Sequence, residues 1–340
     1  MGKVIRIGTR ESQLAVWQAT NVQQLLAANN FQSELVYIKS EGDIDLQTPL
    51  YEMGVQGIFT RSLDIALLNN KIDIAVHSMK DVPTQLPEGI VQSAVLERAS
   101  YKDLFVFKER SSMMNGEWSM VNKDPESFER LFTIDHSPFI IATSSIRRKA
   151  QWLNRYPHHI IENLRGNVNT RLRKVAESNW QGAIFAAAGL DRIGLRPENS
   201  IELNWMLPAP AQGAIMVVCR DADDFCLNAC EHFNHSHTAL CTKIERDFLK
   251  ILLGGCSTPI SALAQVKEDS IIFKGNILSV DGKEKVEVEM TYAGLTSSGL
   301  TSSGLTSSGF QAGDMGINAA HELIKKGGSE IVKGIRNATK

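Results

Sequence analysis

Short apolar runs alternate with segments of helical periodicity over the first two-thirds of the chain. KVIRIGT reads as a strand. ESQLAVWQATNVQQLLAANN then places Leu14, Trp17, Val22, Leu25 and Leu26 at helical spacing behind Ser12. SELVYIKS is the next strand, TRSLDIALLNN a helix and IDIAVHS a buried strand. PFIIATSS, HHIIEN, GAIFAAAG and GAIMVVCR continue the strands, and SIRRKAQWLNR, NVNTRLRKVAES and LDRIGL the helices or their first turns. Such alternation predicts parallel sheets in α/β units. At 340 residues the chain exceeds a single core, so two smaller lobes are expected rather than one large sheet.

The pattern changes after about residue 235. HTALCTKIERDFLKILLGG predicts a helix, SIIFKGNILSV and KVEVEMTYAG alternate as strands around the turn VDGKEK, and MGINAAHELIKKGG predicts a closing helix. This is the pattern of a smaller α+β domain. Two stretches have no periodicity. The polar segment from about 108 to 132 reads as an insertion, and from Gly294 the pentapeptide Gly-Leu-Thr-Ser-Ser occurs three times, a composition that buries no core and reads as a flexible surface loop.

Composition narrows the setting. The chain is 43% hydrophobic and 22% charged, with a net charge of −2, as in ordinary globular proteins. No apolar run reaches the roughly 18 residues that span a bilayer. Five cysteines, an odd number, argue against a disulfide framework. With no apolar leader before the first strand, the expectation is a cytoplasmic protein with reduced thiols and no membrane partner.

Candidate chemistry lies at strand ends. In DIAVHSMKDVPT, the strand closes near His77, and Lys80 and Asp81 follow, pinned by Pro83. The carboxyl edge of an open α/β sheet is where ligands bind, and an adjacent lysine and aspartate can serve acid–base or charge-stabilising chemistry, although a solvated charged turn has the same appearance. Between Ala142 and Lys174 lie Arg147, Arg148, Lys149, Arg155, Arg165, Arg171, Arg173 and Lys174, against Glu162 as the only acid. Ser145 precedes the first arginine pair at a strand-to-helix turn, a natural anion site, and NLRGNVNTR repeats the arrangement. Arg10 and Arg192 hold similar strand-end positions. Arginine forks at successive strand ends suit a ligand with many carboxylates or phosphates. A single-stranded nucleic acid would call for aromatic platforms among these cations. Trp152 and Tyr156 are the only aromatics there, and the spacing of Trp152 is that of a core residue.

Two cysteine-containing stretches remain. Cys226, Cys230, His232, His235 and His237 are dense, but their spacing lacks the loop that separates zinc-ligand pairs, so no metal is expected and a polar helix-to-helix connection is. Cys256, in LLGGCSTPI, follows paired glycines that permit close approach of another group, whether for a metal, a disulfide, a nucleophilic step or a covalent attachment. The polar segment containing Gly42, Gly54 and Gly57 reads as a lid.

Taken in order, RIGTRESQLAVWQA, HSMKDVPT, IATSSIRRKAQ, LRGNVNTRL, AAAGLDRIGL, AQGAIMVVCR and LLGGCSTPI resemble the porphobilinogen deaminase (hydroxymethylbilane synthase) family over nearly the whole chain. The resemblance implies two periplasmic-binding-protein-like lobes with doubly wound sheets around a cleft, plus the smaller α+β domain. The boundaries expected are 1–100 with 214–232 for lobe 1, 101–213 for lobe 2 and 233–340 for the third domain. It further implies a transferase that condenses four porphobilinogen molecules, each losing ammonia, onto a dipyrromethane cofactor bound to Cys256 as a thioether, then releases the linear tetrapyrrole by hydrolysis. By the same resemblance Asp81 is the catalytic carboxylate. Lys80, Ser145, Arg147, Arg148 and Arg171 hold the cofactor, and Arg10, Arg165 and Arg192 hold substrate. A monomer acting on a small molecule, without nucleic acid, is expected. A non-catalytic two-lobed anion-binding protein is the rival reading; it would use a signal peptide and leaves Cys256 idle. The chain departs from the family pattern at Glu52 and Gln56 in the lid, where lysines are usual, and at Ala211, where glycine is.

Overall fold

The computed structural model describes residues 3–39, 60–108, 138–252, 258–293 and 312–338. Cys256, Glu52, Gln56, the glycines of the expected lid, all but the start of the polar insertion and the pentapeptide repeats lie outside the described residues.

The first sheet has the order β2-β1-β3-β10-β4, built from β1 (Ile5–Thr9), β2 (Ser33–Tyr37), β3 (Ile74–Ser78), β4 (Ile90–Val95) and β10 (Ile215–Arg220). β1 runs parallel to β2 and β3, whereas β10 is antiparallel to both β3 and β4. The second sheet repeats the scheme as β7-β6-β8-β5-β9, from β5 (Asp103–Phe107), β6 (Ile140–Ala142), β7 (Ile160–Glu162), β8 (Gly182–Ala186) and β9 (Ser200–Glu202). Its parallel set is β7, β6 and β8, and β5 is its antiparallel strand. In each lobe the antiparallel strand is therefore the one on which the chain arrives from the other lobe.

The two crossing segments run side by side: Leu96 N–H donates to Ile215 O at 3.0 Å and Ala99 N–H to Gly213 O at 3.1 Å. Gly213 sits at φ +90, and a Cβ there would lie 2.7 Å from Ala99 O. Only glycine allows this approach. The neighbouring Ala211 also has a positive φ, 61°, which explains why glycine is the more comfortable residue there.

In lobe 1, α1 (Gln13–Ala28) starts on Ser12, whose hydroxyl accepts from Ala15 N–H at 3.4 Å. It buries Ala15, Gln18, Ala19, Val22 and Leu26, a stripe of helical spacing. Leu14 and Trp17, expected to belong to the core stripe, instead face lobe 2. A Cβ on Gly189 would meet Leu14 at 3.7 Å, and Trp17 stays exposed beneath Arg192. α2 (Arg61–Leu68) covers the same sheet, and lobe 2 carries α3 (Ile146–Arg155), α4 (Val168–Glu177) and the short α5 (Ala187–Asp191). Trp152 is fully buried and stacks on Phe105, as its spacing predicts.

After α6 (Asp224–Glu231), α7 (Ser236–Leu252) leads into a three-stranded antiparallel sheet, β11 (Ile260–Lys267), β12 (Ser270–Leu278) and β13 (Lys285–Ala293). Phe248 and Phe273 meet edge-on in its core. The closing element is two helices, α8 (Met315–Leu323) and α9 (Ser329–Ala338), rather than one. Sequence periodicity misses β4, β5, β9 and β11.

Candidate active site

β3 ends at Ser78, and the chain turns at once into a single 3₁₀ turn, Met79–Asp81. Met79 is buried and its N–H donates to Ala214 O at 3.1 Å, while Val82 N–H returns to Met79 O at 3.2 Å. The turn thereby holds Lys80 and Asp81, both half-buried, at the carboxyl edge of the parallel strands. Ser78 Oγ accepts from Gln18 Nε2 at 2.9 Å. Arg10 follows directly on β1 at the same edge. Burial, together with the nearby Arg10, pushes the His77 imidazole down to about 3, so it is neutral at physiological pH.

Lobe 2 supplies most of the cations. Ser145 caps α3 by accepting from Arg148 N–H at 3.5 Å, and the first turn carries Arg147 and Arg148 inward. Both are buried on Asp103. Arg147 Nη2 reaches Oδ2 at 2.8 Å, and Arg148 reaches Oδ1 with Nη2 at 2.7 Å and Nε at 3.1 Å. Arg147 Nη1 donates to Leu207 O at 2.6 Å and Arg148 Nη1 to Ile184 O at 3.0 Å. Asp103, with no exposed surface, also accepts from Gln212 Nε2 at 2.9 Å. The paired guanidiniums offset the penalty of burial and hold its carboxyl below the usual carboxylate range. Sequence reasoning missed Asp103 because it weighed only the acids near the arginines in the chain. The available signal was an acid opening the apolar run DLFVF, where a buried charge requires a partner.

The second helix start repeats the design. Asn167 caps α4 by accepting from Thr170 N–H at 2.9 Å. Gly166 before it has φ +113, and a Cβ would lie 2.7 Å from Thr170 Cγ2, so the turn demands glycine. Arg171 Nε donates to Gly166 O at 2.7 Å, and Lys174 Nζ to Arg165 O at 3.1 Å; Arg165 itself is buried. Arg192, just past α5, donates Nη2 to Gly213 O at 2.6 Å and lies 5.8 Å over the Trp17 ring.

Electrostatics bring these groups together across the lobes. Lys80 is pushed down to about 8, first by burial and then by Arg148 and Arg147, with Asp81 and Asp103 opposing. Arg171 is lowered to about 10 by burial, Arg148 and Arg165, with Asp81 opposing. Burial lowers Arg192 to about 10. Asp81 is thus the carboxylate that both Lys80 and Arg171 sense. Together, Lys80 and Arg171 sense Arg147, Arg148 and Arg165 on one side and Asp81 and Asp103 on the other. Arg147 Nε is moreover buried with no hydrogen-bond partner among the described residues. This excess of buried positive charge suits a polyanion, and the four carboxylates of a two-ring pyrrole primer fit the donor set.

The cysteine–histidine stretch is divided between two tasks. Cys226 and Cys230 point into the lobe 1 core beside Cys219, and burial raises all three thiols. His235 lies at the start of α7, where its Nδ1 accepts from Thr238 N–H at 3.2 Å. Among the described residues no cluster of three or more His, Cys, Asp or Glu side chains is placed to hold a metal ion. No described helix is long and apolar enough to cross a membrane.

Two family models match in tandem: "Porphobilinogen deaminase, dipyromethane cofactor binding domain" over residues 5–228 and "Porphobilinogen deaminase, C-terminal domain" over residues 239–325. A porphobilinogen deaminase of Chlorobium phaeobacteroides (strain BS1) is 36% identical over 340 residues, covering 99% of each chain. The chloroplastic porphobilinogen deaminase of Oryza sativa subsp. japonica is 39% identical over 297 residues, 85% of this chain and 78% of that protein. Among solved structures, one from a study of glutathione import in Streptococcus mutans overlaps 68% of this chain and 88% of its own at a TM-score of 0.38 and 11% identity, too distant to add to the topology above. The two lobes and the third domain are covered by those family models in chain order, and the chain belongs to the porphobilinogen deaminase family.

Proposed function

We propose that the chain is a hydroxymethylbilane synthase: it joins four porphobilinogen molecules head to tail, each with loss of ammonia, onto a dipyrromethane held by Cys256, and then releases the linear tetrapyrrole by hydrolysis. The observation that carries this reading is the single carboxylate of Asp81 in the field of Lys80 and Arg171, at the edge of an excess of buried cations.

When bound, the dipyrromethane supplies the pyrrole carbon to which the first substrate is joined. Lys80, Ser145, Arg147, Arg148 and Arg171 hold its acetate and propionate groups. Arg147 and Arg148 do so from a frame fixed by Asp103, so their geometry is set before any ligand arrives. Arg10, Arg165 and Arg192 take the carboxylates of incoming porphobilinogen. Loss of ammonia leaves an electron-poor methylene pyrrole whose positive charge is shared by the ring nitrogen. Asp81 stabilises that charge and carries the proton released as the new carbon–carbon bond forms.

The division of the chain into 1–100 with 214–232, 101–213 and 233–340 is supported by the three sheets. A cytoplasmic setting is supported by the four described cysteines, all free and buried. We take the working unit to be a monomer, which the native mass in solution tests.

Intact mass tests the central reading. Protein from a host that makes porphobilinogen is expected to carry an adduct of two pyrrole units, absent from Cys256→Ser and Cys256→Ala. Unmodified wild-type protein from such a host would refute the assignment. Asp81→Asn, which keeps shape and removes charge, is expected to lower turnover by about 100-fold or more while the fold survives.

A further inference from the structure

The turn that carries Lys80 and Asp81 is held from outside its own lobe. Arg246, on α7, donates Nη1 to Val82 O at 2.9 Å and to Met79 O at 3.4 Å, and Nη2 to Pro83 O at 2.5 Å. Met79 O already accepts the Val82 N–H that closes the turn, and Pro83 brings no N–H to the local network. One planar guanidinium reaches the carbonyls of Met79, Val82 and Pro83 together at fixed angles, which a lysine ammonium does not reproduce. A cavity of about 460 Å³ opens between the turn and α7, lined by Met79, Thr84, Leu86, Lys243 and Arg246. α7 itself is rigidly placed, because the preceding residue, Glu245, is fully buried and accepts from Ala211 N–H at 2.6 Å and Ala264 N–H at 2.8 Å. The same helix ends at Leu252, four residues before Cys256.

We propose that Arg246 is a positioning residue for the reaction: it ties the Asp81 turn to the helix that leads to the cofactor cysteine, and so fixes where the Asp81 carboxylate stands relative to the anchored chain. The inference rests on the reading of Asp81 as the catalytic carboxylate. The role assigned to Arg246 is a hold on the turn's backbone and not a contact with substrate or cofactor. It acts through the backbone of residues 79–83, so its removal impairs turnover more than substrate capture.

The test compares holoproteins whose dipyrromethane adduct is verified by mass. Arg246→Leu is expected to lower kcat by about tenfold or more with KM changed less than about twofold, and Arg246→Lys, which keeps one donor group, to recover part of the loss. If Arg246→Leu does not accumulate as holoprotein, Arg246→Gln carries the same comparison. The pair is repeated with Asp81→Glu, which displaces the carboxylate by one methylene. There the Arg246 substitution is expected to cost less than about threefold, because residues that act as a unit are not additive. A wild-type kcat in the Arg246 variant, a rise in KM alone, or an equal loss in both backgrounds would overturn the positioning role. A wild-type rate in Asp81→Glu alone would overturn the reading of Asp81 and this inference with it.

Discussion

Arg98 and Glu245 lie fork to fork, Nη1 to Oε1 at 2.6 Å and Nη2 to Oε2 at 3.1 Å, and the pair joins all three units of the molecule. Arg98 stands on the outgoing crossing segment and its Nε donates to Gln212 O at 2.8 Å on the returning one. Glu245 comes from α7 and also binds the N–H groups of Ala211 and Ala264. Removing one member of such a pair strands the other in the interior. Glu245→Gln is expected to destabilise the protein by about 3 kcal/mol or more, measured by urea unfolding. A loss under about 1 kcal/mol would show that the crossing segments are held by other contacts.

Asp103 plays the corresponding part under the arginine pair. Its folded carboxyl lies below the ordinary range, so its stabilising contribution is present above that range and disappears as pH falls through and below it. Asp103→Asn is therefore expected to lose about 3 kcal/mol at neutral pH, a loss that shrinks only at pH values well below the ordinary carboxylate range, flattening the extreme-acid end of the stability profile. Asp73, held low by Arg6 and Arg220, leaves a residual acid dependence in the variant. An unchanged profile in Asp103→Asn would separate the arginine pair from acid stability.

The proposed role of Lys80 in holding ligand carboxylates implies a basic limit to activity. With its ammonium pushed down to about 8, chiefly by burial, that charge is progressively lost as pH rises through that value. The expected profile of kcat/KM falls on the alkaline side with an apparent midpoint near 8, and in Lys80→Arg, whose charge persists above about pH 12, the limb moves upward. A limb that stays in place in Lys80→Arg assigns it to another group.

Ala211 is a site of stored strain. Its φ of 61° lies in the left-handed region, where an L side chain is disfavoured by about 1–2 kcal/mol. Ala211→Gly removes that strain and gives back part of it as unfolded-chain entropy, so a net gain of about 0.5–1 kcal/mol is expected. The measurement is the urea midpoint at constant slope. A destabilised variant would mean that the buried methyl packs better than the backbone strains.

Much of the lobed architecture was legible because parallel strands buried on both faces read as apolar runs, IRIGT and IAVHS among them, and because Ser145 and Asn167 mark helix starts beside their arginines. Lys80, Asp81 and the arginines could be picked out from their places after strands. What escaped was long-range pairing. Asp103 lies 44 residues before Arg147, and Glu245 lies 147 residues after Arg98, so no local pattern links them. The role of Trp17 escaped for a similar reason. Helical spacing puts Trp17 on an apolar stripe, but the residue stays exposed on the side that faces Arg192 of the opposite lobe.

The exchange of antiparallel strands between the lobes imposes an order on biosynthesis. All five strands of the second sheet lie between residues 103 and 202, so that lobe is complete once this stretch has left the ribosome. The first sheet begins at residue 5 yet lacks the strand between β3 and β4 until residues 215–220 emerge. The N-terminal half of a nascent chain therefore waits with an open sheet edge at β3, and β4 unpaired, while its downstream neighbour folds. The usual N-to-C succession of domains is reversed. That waiting interval is when the chain is most exposed to edge-to-edge aggregation, and a truncation anywhere before residue 220 prolongs it indefinitely.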